Sequence, residues 1–399
     1  MARCKKTNVA FLFGAGAETC FKTKSGGDFA KVVVGIEENK KSKRISNMNN
    51  AIKTYYTDML SNNKKIDSFY PSYRISSFNI EKLAVASYLK EAMESESDIK
   101  YDSKHQNIKS YVEKMSKRER EECINNFPSY MDILDSKFHT IISPKYLGPQ
   151  KFWTVIASYC RAYLALVVPL LGQKVNRNCC LNILKNPKKT YEDLINSCLA
   201  YRDIDSYYKS LRKSTINPYI ITTNYTPLSK IITECEENNI AYLNGRFGLF
   251  ESAHDLEVID VNCVDDAVLK EDVYFPYIFV QSGVKPIVES MQIEEYHKAI
   301  GFLNASDELI VVGYNFNSDD NHINSIIREF ILKPNKKITY FKYNKDTCDK
   351  KIADVKSEII KKLRLDWKTE QKEVMKKINI IQDVGDNLLK QFNQYISQL

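Results

Sequence analysis

The stretch from Asn8 to Glu18 constrains the fold of this chain more than any other part of its sequence. It contains a short apolar run, Val9 to Phe13, that ends at Gly14 and Gly16. A strand of a parallel sheet is apolar throughout because both of its faces are covered. Two glycines allow a tight turn and a close approach of the backbone, through which a phosphate group reaches the N-terminus of the next helix. The pattern predicts a nucleotide-binding strand-turn-helix, although the third glycine of the dinucleotide-binding pattern is missing.

Two other interpretations of this stretch stay open. Basic residues before the apolar run and small residues at 15–17 are features of a signal peptide, but the run is shorter than a secretory signal usually has. The glycines could also end an ordinary strand that binds nothing. The remainder of the sequence favours the nucleotide site, because several later strands also end in polar residues.

Composition limits the class of protein. The chain has 399 residues, of which 43% are apolar, so a substantial core is expected and wholesale disorder is excluded. Basic residues (58) and acidic residues (50) are interspersed, so the net charge of +8 does not by itself indicate nucleic-acid binding. The ten cysteines include no Cys-x-x-Cys pair, and the longest apolar run, 162–171, is too short to cross a bilayer. These features predict a soluble cytoplasmic protein with reduced thiols, no membrane contact and no metal site.

A long region of helical periodicity follows the first strand. The first helix is expected at 19–34, interrupted by a loop at 25–28 that would lie over a bound ligand. Further segments with helical periodicity are Met48–Leu60, Asn79–Met93, Asn107–Asn125, Tyr130–Ile141, Pro149–Leu171 and Tyr191–Leu211. The sequence therefore predicts a helical insertion at 37–214, a candidate lid. Its aromatic residues, Trp153 and Tyr159 among them, are either core or oligomer contacts.

The pattern changes after residue 215. Predicted strands are Tyr219–Thr223, Ile240–Leu243, Tyr277–Val280, Glu308–Val312, Ile338–Lys342 and Ile378–Ile381, and predicted helices between and after them are Pro227–Glu236, Glu294–Leu303, His322–Leu332 and Val384–Ile396. Alternating strands and helices predict an α/β fold, a Rossmann-like, doubly wound parallel sheet with a large helical insertion. The sheet domain would be discontinuous, formed by 1–36 and 215–399. Ligands of such sheets bind at the carboxyl ends of the strands.

Four short motifs stand at those strand ends, in this order: Gly14-Ala15-Gly16-Ala17-Glu18, Thr222-Thr223-Asn224-Tyr225, Leu243-Asn244-Gly245 and Val312-Gly313-Tyr314-Asn315-Phe316. Together they resemble the sirtuin-like family, and more narrowly the bacterial sirtuin-like NAD-cleaving proteins of anti-phage defence. The resemblance covers 7–36 and 215–399, and extends only loosely into the insertion.

The resemblance implies a role for each motif. The turn from Gly14 to Ala17 would hold the NAD diphosphate, and Asn224 would lie by the nicotinamide ribose and orient the attacking water. Gly313 and Asn315 would belong to the loop that receives the adenine-side ribose. Further residues implied in NAD binding are Ala15, Gly16, Glu18, Thr223 and Tyr225. NAD would be a substrate, with no cofactor and no zinc.

Two positions depart from the family. Asn244 stands where the family usually has a histidine that acts as a base, and an asparagine side chain takes up no proton near neutral pH. His139 is the preferred substitute for that base, and His254 the second. Thr226 stands where the family commonly has aspartate, which argues against protein deacylase chemistry, as does the lack of four zinc-binding cysteines.

Three functions are therefore weighed. The first is an NAD glycohydrolase that releases nicotinamide and ADP-ribose and depletes NAD in an infected cell. The second is an NAD or ADP-ribose-binding sensor or scaffold with a degenerate site, which Asn244 favours. The third, compatible with the first, is a homo-oligomeric partner of a hexameric HerA-type ATPase that meets nucleic acid only indirectly.

Overall fold

A computed structural model describes residues 8–21, 32, 35, 43–62, 116, 149–252, 257–265, 268–271, 274–278, 290–317, 320–344, 351–366, 371–383 and 386–399. The chain divides into two compact units. The first is formed by Met1–Thr23, Ile195–Arg246 and Ile287–Leu399, and the second by Lys24–Leu194 and Phe247–Pro286. The contacts place residues 195–214 in the first unit, whereas the sequence analysis assigned them to the insertion.

The described strands are β1 (Val9–Phe13), β2 (Tyr219–Thr222), β3 (Ile240–Tyr242), β4 (Gly245–Ser252), β5 (Val258–Asp260), β6 (Tyr274–Ile278), β7 (Glu308–Val312), β8 (Lys337–Tyr343) and β9 (Ile378–Asp383). Six of them form one sheet in the order β3-β2-β1-β7-β8-β9, with every neighbouring pair parallel. Numbered within this sheet alone, the order is 3-2-1-4-5-6, that of doubly wound dinucleotide-binding folds. The predicted α/β, Rossmann-like fold is confirmed.

The described helices are α1 (Arg44–Asn62), α2 (Pro149–Leu170), α3 (Arg177–Lys185), α4 (Pro187–Leu199), α5 (Tyr207–Arg212), α6 (Leu228–Thr233), α7 (Val268–Glu271), α8 (Ser290–Ala305), α9 (Asn321–Leu332), α10 (Ile352–Lys362), α11 (Gln371–Lys377) and α12 (Asp386–Ile396). Short 3-10 helices occur at Ala15–Phe21 and Glu237–Asn239. Of the predicted first helix at 19–34, residues 19–21 belong to the first of these 3-10 helices, and Val32 is helical.

Strand β1 is apolar throughout because helices cover both of its faces. Ala10 and Leu12 lie in a core that includes residues of α8, α9, α10 and α11. On the other face, the Phe11 ring lies 6.3 Å from that of Phe392 on α12, and the Phe13 ring lies 4.9 Å from that of Tyr208 on α5. Burial of this strand on both faces explains why it lacks the apolar-polar alternation of a half-exposed strand.

The second unit contains a three-stranded sheet with the order β5-β4-β6. Tyr163 of α2 packs edge-on against Phe247 and Phe250 of β4, with ring centroids 5.5 and 5.6 Å apart. Tyr159, one turn earlier, is buried, with its ring 5.8 Å from that of Phe275 on β6. Tyr159 is thus a core residue of this unit rather than an oligomer contact.

Two predicted elements were wrong. The strand expected at Tyr277–Val280 is β6 (274–278), and it pairs in the three-stranded sheet instead of the parallel one. The helix expected at Tyr191–Leu211 is two helices, α4 and α5, because Ser206 starts a new one. The Ser206 hydroxyl accepts a hydrogen bond from the N–H of Lys209 at 3.2 Å, which is an N-cap. Helices α3, α7, α10 and α11 were not predicted.

Several expectations lie outside the described residues. They are the loop at 25–28, the helices predicted at Asn79–Met93, Asn107–Asn125 and Tyr130–Ile141, and the side chains of His139, His254 and Trp153.

Glycines are required where the turns after β1 and β7 meet. The N–H of Gly14 donates to the carbonyl of Val312 at 2.9 Å, and that of Gly16 donates to the carbonyl of Gly313 at 3.0 Å. A Cβ on Gly14 would lie 2.4 Å from the Gly313 oxygen. Gly313 has φ +68°, and a Cβ there would lie 2.2 Å from the nitrogen of Ala17. The two turns therefore pack backbone against backbone, with no space for side chains.

We expect Gly14→Ala to destabilise the protein by at least about 2 kcal/mol, because the new methyl group overlaps backbone atoms that cannot move independently. Urea denaturation measures this. The control is Gly301→Ala on α8, where a Cβ meets nothing within 4 Å. In a helix that change should stabilise by about 0.5–1 kcal/mol. Equal stabilities for Gly14→Ala and the wild type would contradict this account of the turn.

Candidate functional site

The candidate site lies at the carboxyl ends of β1, β2 and β7. In the order β3-β2-β1-β7, the chain winds in opposite directions on either side of the β1–β7 pair. Open α/β sheets bind their ligands in the crevice at this reversal. Three segments meet there: the 3-10 helix Ala15–Phe21 after β1, residues 223–226 after β2 and the turn at Gly313 after β7.

Asn224 is a buried residue at the centre of this edge. Its backbone N–H donates to the hydroxyl of Thr222 at 3.0 Å. Its side-chain Nδ2 donates to the carbonyl oxygen of Gly14 at 3.1 Å and to the hydroxyl oxygen of Tyr208 at 3.3 Å. Both hydrogens of the amide are thus used within the protein, and Oδ1 is the group of this side chain that can accept a hydrogen bond from a ligand.

A second buried polar residue, Glu18, completes the network. The hydroxyl of Tyr208 donates to Glu18 Oε1 at 3.0 Å, and the hydroxyl of Thr226 lies 2.8 Å from both Oε1 and Oε2. Burial raises the pKa of the Glu18 carboxyl from 4.5 to about 7, against the opposing effect of hydrogen bonds from Thr226, Tyr208 and Asn224. A carboxyl group that titrates near neutral pH in a cleft is characteristic of functional sites.

The contacts of Glu18 concern two expectations from the sequence: the role of Glu18 in NAD binding and the departure from the family at Thr226. The sequence analysis placed it among residues that bind NAD, and its role stays a prediction. The carboxyl group is enclosed by side chains of Tyr208 and Thr226. The same contacts give Thr226 a function of its own, because its hydroxyl is a donor to this carboxyl group.

The turn predicted to hold a diphosphate uses most of its donors internally. The N–H groups of Gly14 and Gly16 donate to carbonyls after β7, and that of Ala17 donates to Gly14 at 2.9 Å. Ala15 and Gly16 are exposed at the edge of the sheet. The diphosphate role of this turn stays a prediction, and it would require N–H groups other than these three.

Asn244 and Thr223 are neighbours in the structure. Asn244 is buried, and its Nδ2 donates to the carbonyl of Thr223 at 3.1 Å. The carbonyl of Leu243, just before it, accepts from Gln292 Nε2 at 2.6 Å and from the Tyr296 hydroxyl at 3.2 Å. The ends of β2 and β3 are therefore tied together beside Asn224.

The predicted adenine-side residues, Gly313 and Asn315, lie after β7, and the predicted NAD-binding residue Tyr225 lies after β2. The side-chain oxygen of Asn315 accepts from the Tyr340 hydroxyl at 3.3 Å, and its carbonyl accepts from Lys362 Nζ at 2.9 Å. Burial raises the pKa of Tyr225, which follows Asn224. The structure thus places the predicted residues of all four motifs at the carboxyl ends of neighbouring strands, and their roles stay predictions.

Tyr208 was missed by the sequence analysis. It lies on α5, in a stretch interpreted as insertion, and belongs to no motif. Its ring packs 4.9 Å from that of Phe13 and 6.1 Å from that of Phe21, which directs its hydroxyl to Glu18 and Asn224. The Ser206 N-cap just before Tyr208 was the available signal for a helix that starts here.

The described part of the chain contains no candidate metal centre and no candidate membrane span. There, no group of three or more histidine, cysteine, aspartate or glutamate side chains could hold a metal ion. No helix in the same ranges is long and apolar enough to cross a bilayer. The expected independence from zinc stays a prediction.

The comparisons with known proteins assign no family to this chain. No protein-family model matches the chain, and no curated protein matches it. Among solved structures, the complex of ADP-ribose with a Sir2 homologue carrying a histidine-to-asparagine mutation matches over 55% of this chain and 82% of that chain. The sequence identity is 13% and the TM-score is 0.25. A similarity this weak carries no conclusion about ligand or activity, so the fold assignment rests on the strand order and register of this chain.

The raised pKa of Glu18 predicts how stability depends on pH. The folded state keeps the proton up to a pH of about 7 and the unfolded state releases it near 4.5, so stability falls as pH rises through this window and levels off above it. This group alone accounts for about 3 kcal/mol.

Urea denaturation between pH 5 and pH 8 tests this dependence. In Glu18→Gln, the loss of stability on raising the pH should shrink by that amount, because glutamine does not titrate. Glu294→Gln, a change at an exposed glutamate of α8, is the matched control and should keep the wild-type slope. Identical slopes for Glu18→Gln and the wild type would show that Glu18 does not bind a proton in this range.

Proposed function

We propose that the protein is an NAD glycohydrolase that cleaves NAD to nicotinamide and ADP-ribose. The observation that carries the proposal is the Asn224 amide, held at the β1–β7 reversal with both hydrogens bonded and Oδ1 as its acceptor. The four motifs that resemble sirtuin-like proteins supply the substrate class. NAD is consumed as a substrate, and no zinc takes part.

The reaction requires few catalytic groups from the protein. Water attacks C1′ of the nicotinamide ribose, the bond from C1′ to the nicotinamide nitrogen breaks, and its electron pair leaves with neutral nicotinamide. ADP-ribose and one proton are the other products. The transition state resembles an oxocarbenium ion, so the site must orient water and stabilise positive charge. Asn224 Oδ1 can accept a hydrogen bond from the attacking water, and an ionised Glu18 places negative charge in the same network.

A second candidate function is an NAD or ADP-ribose-binding subunit that cleaves slowly or not at all and acts as a sensor or scaffold. Asn244 favours it, because an asparagine at this position cannot deprotonate a ribose hydroxyl. The donation from Asn244 to the Thr223 carbonyl gives this residue a structural role that needs no chemistry.

The biological setting is part of the proposal. NAD depletion in an infected cell, homo-oligomer formation and association with a HerA-type ATPase are supported by the sequence resemblance alone. A ring-shaped complex in mass photometry, with the ATPase present, would support the partner. A monomer at all concentrations, with and without the ATPase, would contradict it.

Nicotinamide release tests the enzyme directly. We expect the purified protein, alone or with a HerA-type ATPase, to release nicotinamide from NAD. We expect Asn224→Ala to lower that rate by at least about 100-fold, as loss of a preorganised polar group at a reaction centre does. Asn393→Ala, a change at an exposed asparagine of α12, is the matched control and should leave the rate unchanged.

The two candidate functions differ in the outcome with wild-type protein. Absence of nicotinamide release under every condition, together with calorimetric binding of ADP-ribose, would overturn the glycohydrolase and leave the binding subunit. Release that persists in Asn224→Ala would show that cleavage occurs but is not centred on this residue.

A further inference from the structure

We propose that Glu18 and Tyr208 are positioning residues for Asn224, and that the ionised form of Glu18 locks the Asn224 amide with Oδ1 as the acceptor for the attacking water. The inference deepens the proposed function. It rests on that function, which identifies C1′ of the nicotinamide ribose as the atom that the water attacks. It concerns Glu18, whose carboxyl group is buried, and Tyr208, which belongs to none of the four motifs.

The geometry is a hydrogen-bonded network of three side chains. The Tyr208 hydroxyl donates its hydrogen to Glu18 Oε1 at 3.0 Å, and its oxygen accepts from Asn224 Nδ2 at 3.3 Å. Tyr208 can accept from Asn224 in this way because its own hydrogen is committed to Glu18. The second hydrogen of Nδ2 is held by the Gly14 carbonyl at 3.1 Å.

The reversed orientation of the amide is unfavourable. It would bring Oδ1 against the carbonyl oxygen of Gly14, which is also an acceptor, and would leave a buried acceptor without a hydrogen. Glu18 therefore acts on Asn224 through the direction of the Tyr208 hydroxyl hydrogen, in addition to its own hydrogen bond with the Asn224 side chain.

The charge of Glu18 decides how firmly this orientation is held. An ionised carboxylate is an acceptor only, so it fixes the hydroxyl hydrogens of both Tyr208 and Thr226 on itself. Hydrogen bonds to a charged acceptor are stronger than neutral ones, and successive bonds polarise one another. The negative charge therefore strengthens the acceptor Asn224 Oδ1. A protonated carboxyl group carries a hydrogen of its own and releases one of the two hydroxyls.

Glu18 is the member of this cluster that changes charge near neutral pH. Three other titratable groups that interact with it in the described part of the chain are Cys20 on the same 3-10 helix, Cys198 on α4 and Tyr208 on α5. Burial raises the pKa of Cys20 to about 11 and of Cys198 to about 12, and raises that of Tyr208 as well. All three stay neutral where the Glu18 carboxyl, with a pKa of about 7, titrates.

The coupling can be measured without turnover. In protein labelled with ¹⁵N-asparagine, the side-chain amide signals of Asn224, assigned by their loss in Asn224→Asp, should shift with pH with a midpoint near 7. In Glu18→Gln the shift should disappear, because glutamine can accept from Tyr208 and donate to Thr226 but does not titrate. Signals that do not titrate in the wild type, or that titrate identically in Glu18→Gln, overturn the inference.

Steady-state kinetics tests the consequence for catalysis. The kcat for nicotinamide release should rise with pH through about 7 in the wild type and be independent of pH there in Glu18→Gln. Tyr208→Phe keeps the ring contacts with Phe13 and Phe21 and should lower kcat about tenfold with KM changed by less than about twofold. The control is Tyr201→Phe, since Tyr201 also packs on Phe21, at 5.9 Å, and should behave as wild type.

Failure of the positioning role of Glu18 and failure of the glycohydrolase function give different results in these experiments. If the Asn224 signals titrate through Glu18 but no nicotinamide is released, the positioning network stands and the glycohydrolase function is wrong. If nicotinamide is released with the same pH profile in the wild type and Glu18→Gln, the function stands and the positioning role of Glu18 is wrong. Thermal melting of each variant excludes loss of folding as the cause.

Discussion

The contact between the turn after β1 and the turn after β7 is the constraint on which the site depends. Gly14 and Gly16 donate to the carbonyls of Val312 and Gly313, at distances that exclude any side chain. This contact fixes the path of the chain leaving β1. It therefore also fixes the Gly14 carbonyl that holds Asn224, and the start of the 3-10 helix that carries Glu18. The glycines join two parallel strands at the reversal of the sheet. A role in phosphate binding would be additional to this structural one.

Burial of a carboxyl group beside this turn has a substantial energetic cost. An ionised carboxylate loses its hydration, and the hydroxyls of Tyr208 and Thr226 replace part of it. Hydrophobic residues in the same volume would often give equal or greater stability. This polar cluster is costly to bury. Its place at the ligand-binding edge of the sheet is explained better by the orientation that it imposes on Asn224 than by a contribution to folding.

Much of the fold could be predicted from the sequence, because burial on both faces leaves a direct signature. The runs at Val9–Phe13 and at 309–312 are apolar without alternation, and each is followed by a glycine. The three-stranded sheet left no such signature: β5 is three residues long, and β6 was mistaken for a strand of the parallel sheet. The helix at 191–211 was extended across a break that only the Ser206 cap indicates.

Site residues that directly follow a strand could be predicted from the sequence. A site residue contributed by a distant part of the chain could not. Asn224 and Glu18 stand in motifs, so their neighbourhood could be expected from the register of β1 and β2. Tyr208 comes from a helix whose direction and packing no local pattern specifies. A hydrogen-bond network joins residues by distance in space, and a residue far along the chain is invisible to reasoning from motifs.

The position of β1 has a consequence for synthesis of the chain. The central strand is made first, but one partner begins at Tyr219 and the other at Glu308. During translation an entirely apolar strand is therefore made before either partner, and its second hydrogen-bonding edge stays open until Glu308–Val312 has left the ribosome. Unpaired apolar strands of this kind are sites of aggregation, and long-range parallel pairing is slow. Assembly of the sheet around β1 therefore depends on residues far along the chain, and the strand is exposed to aggregation until they have been made.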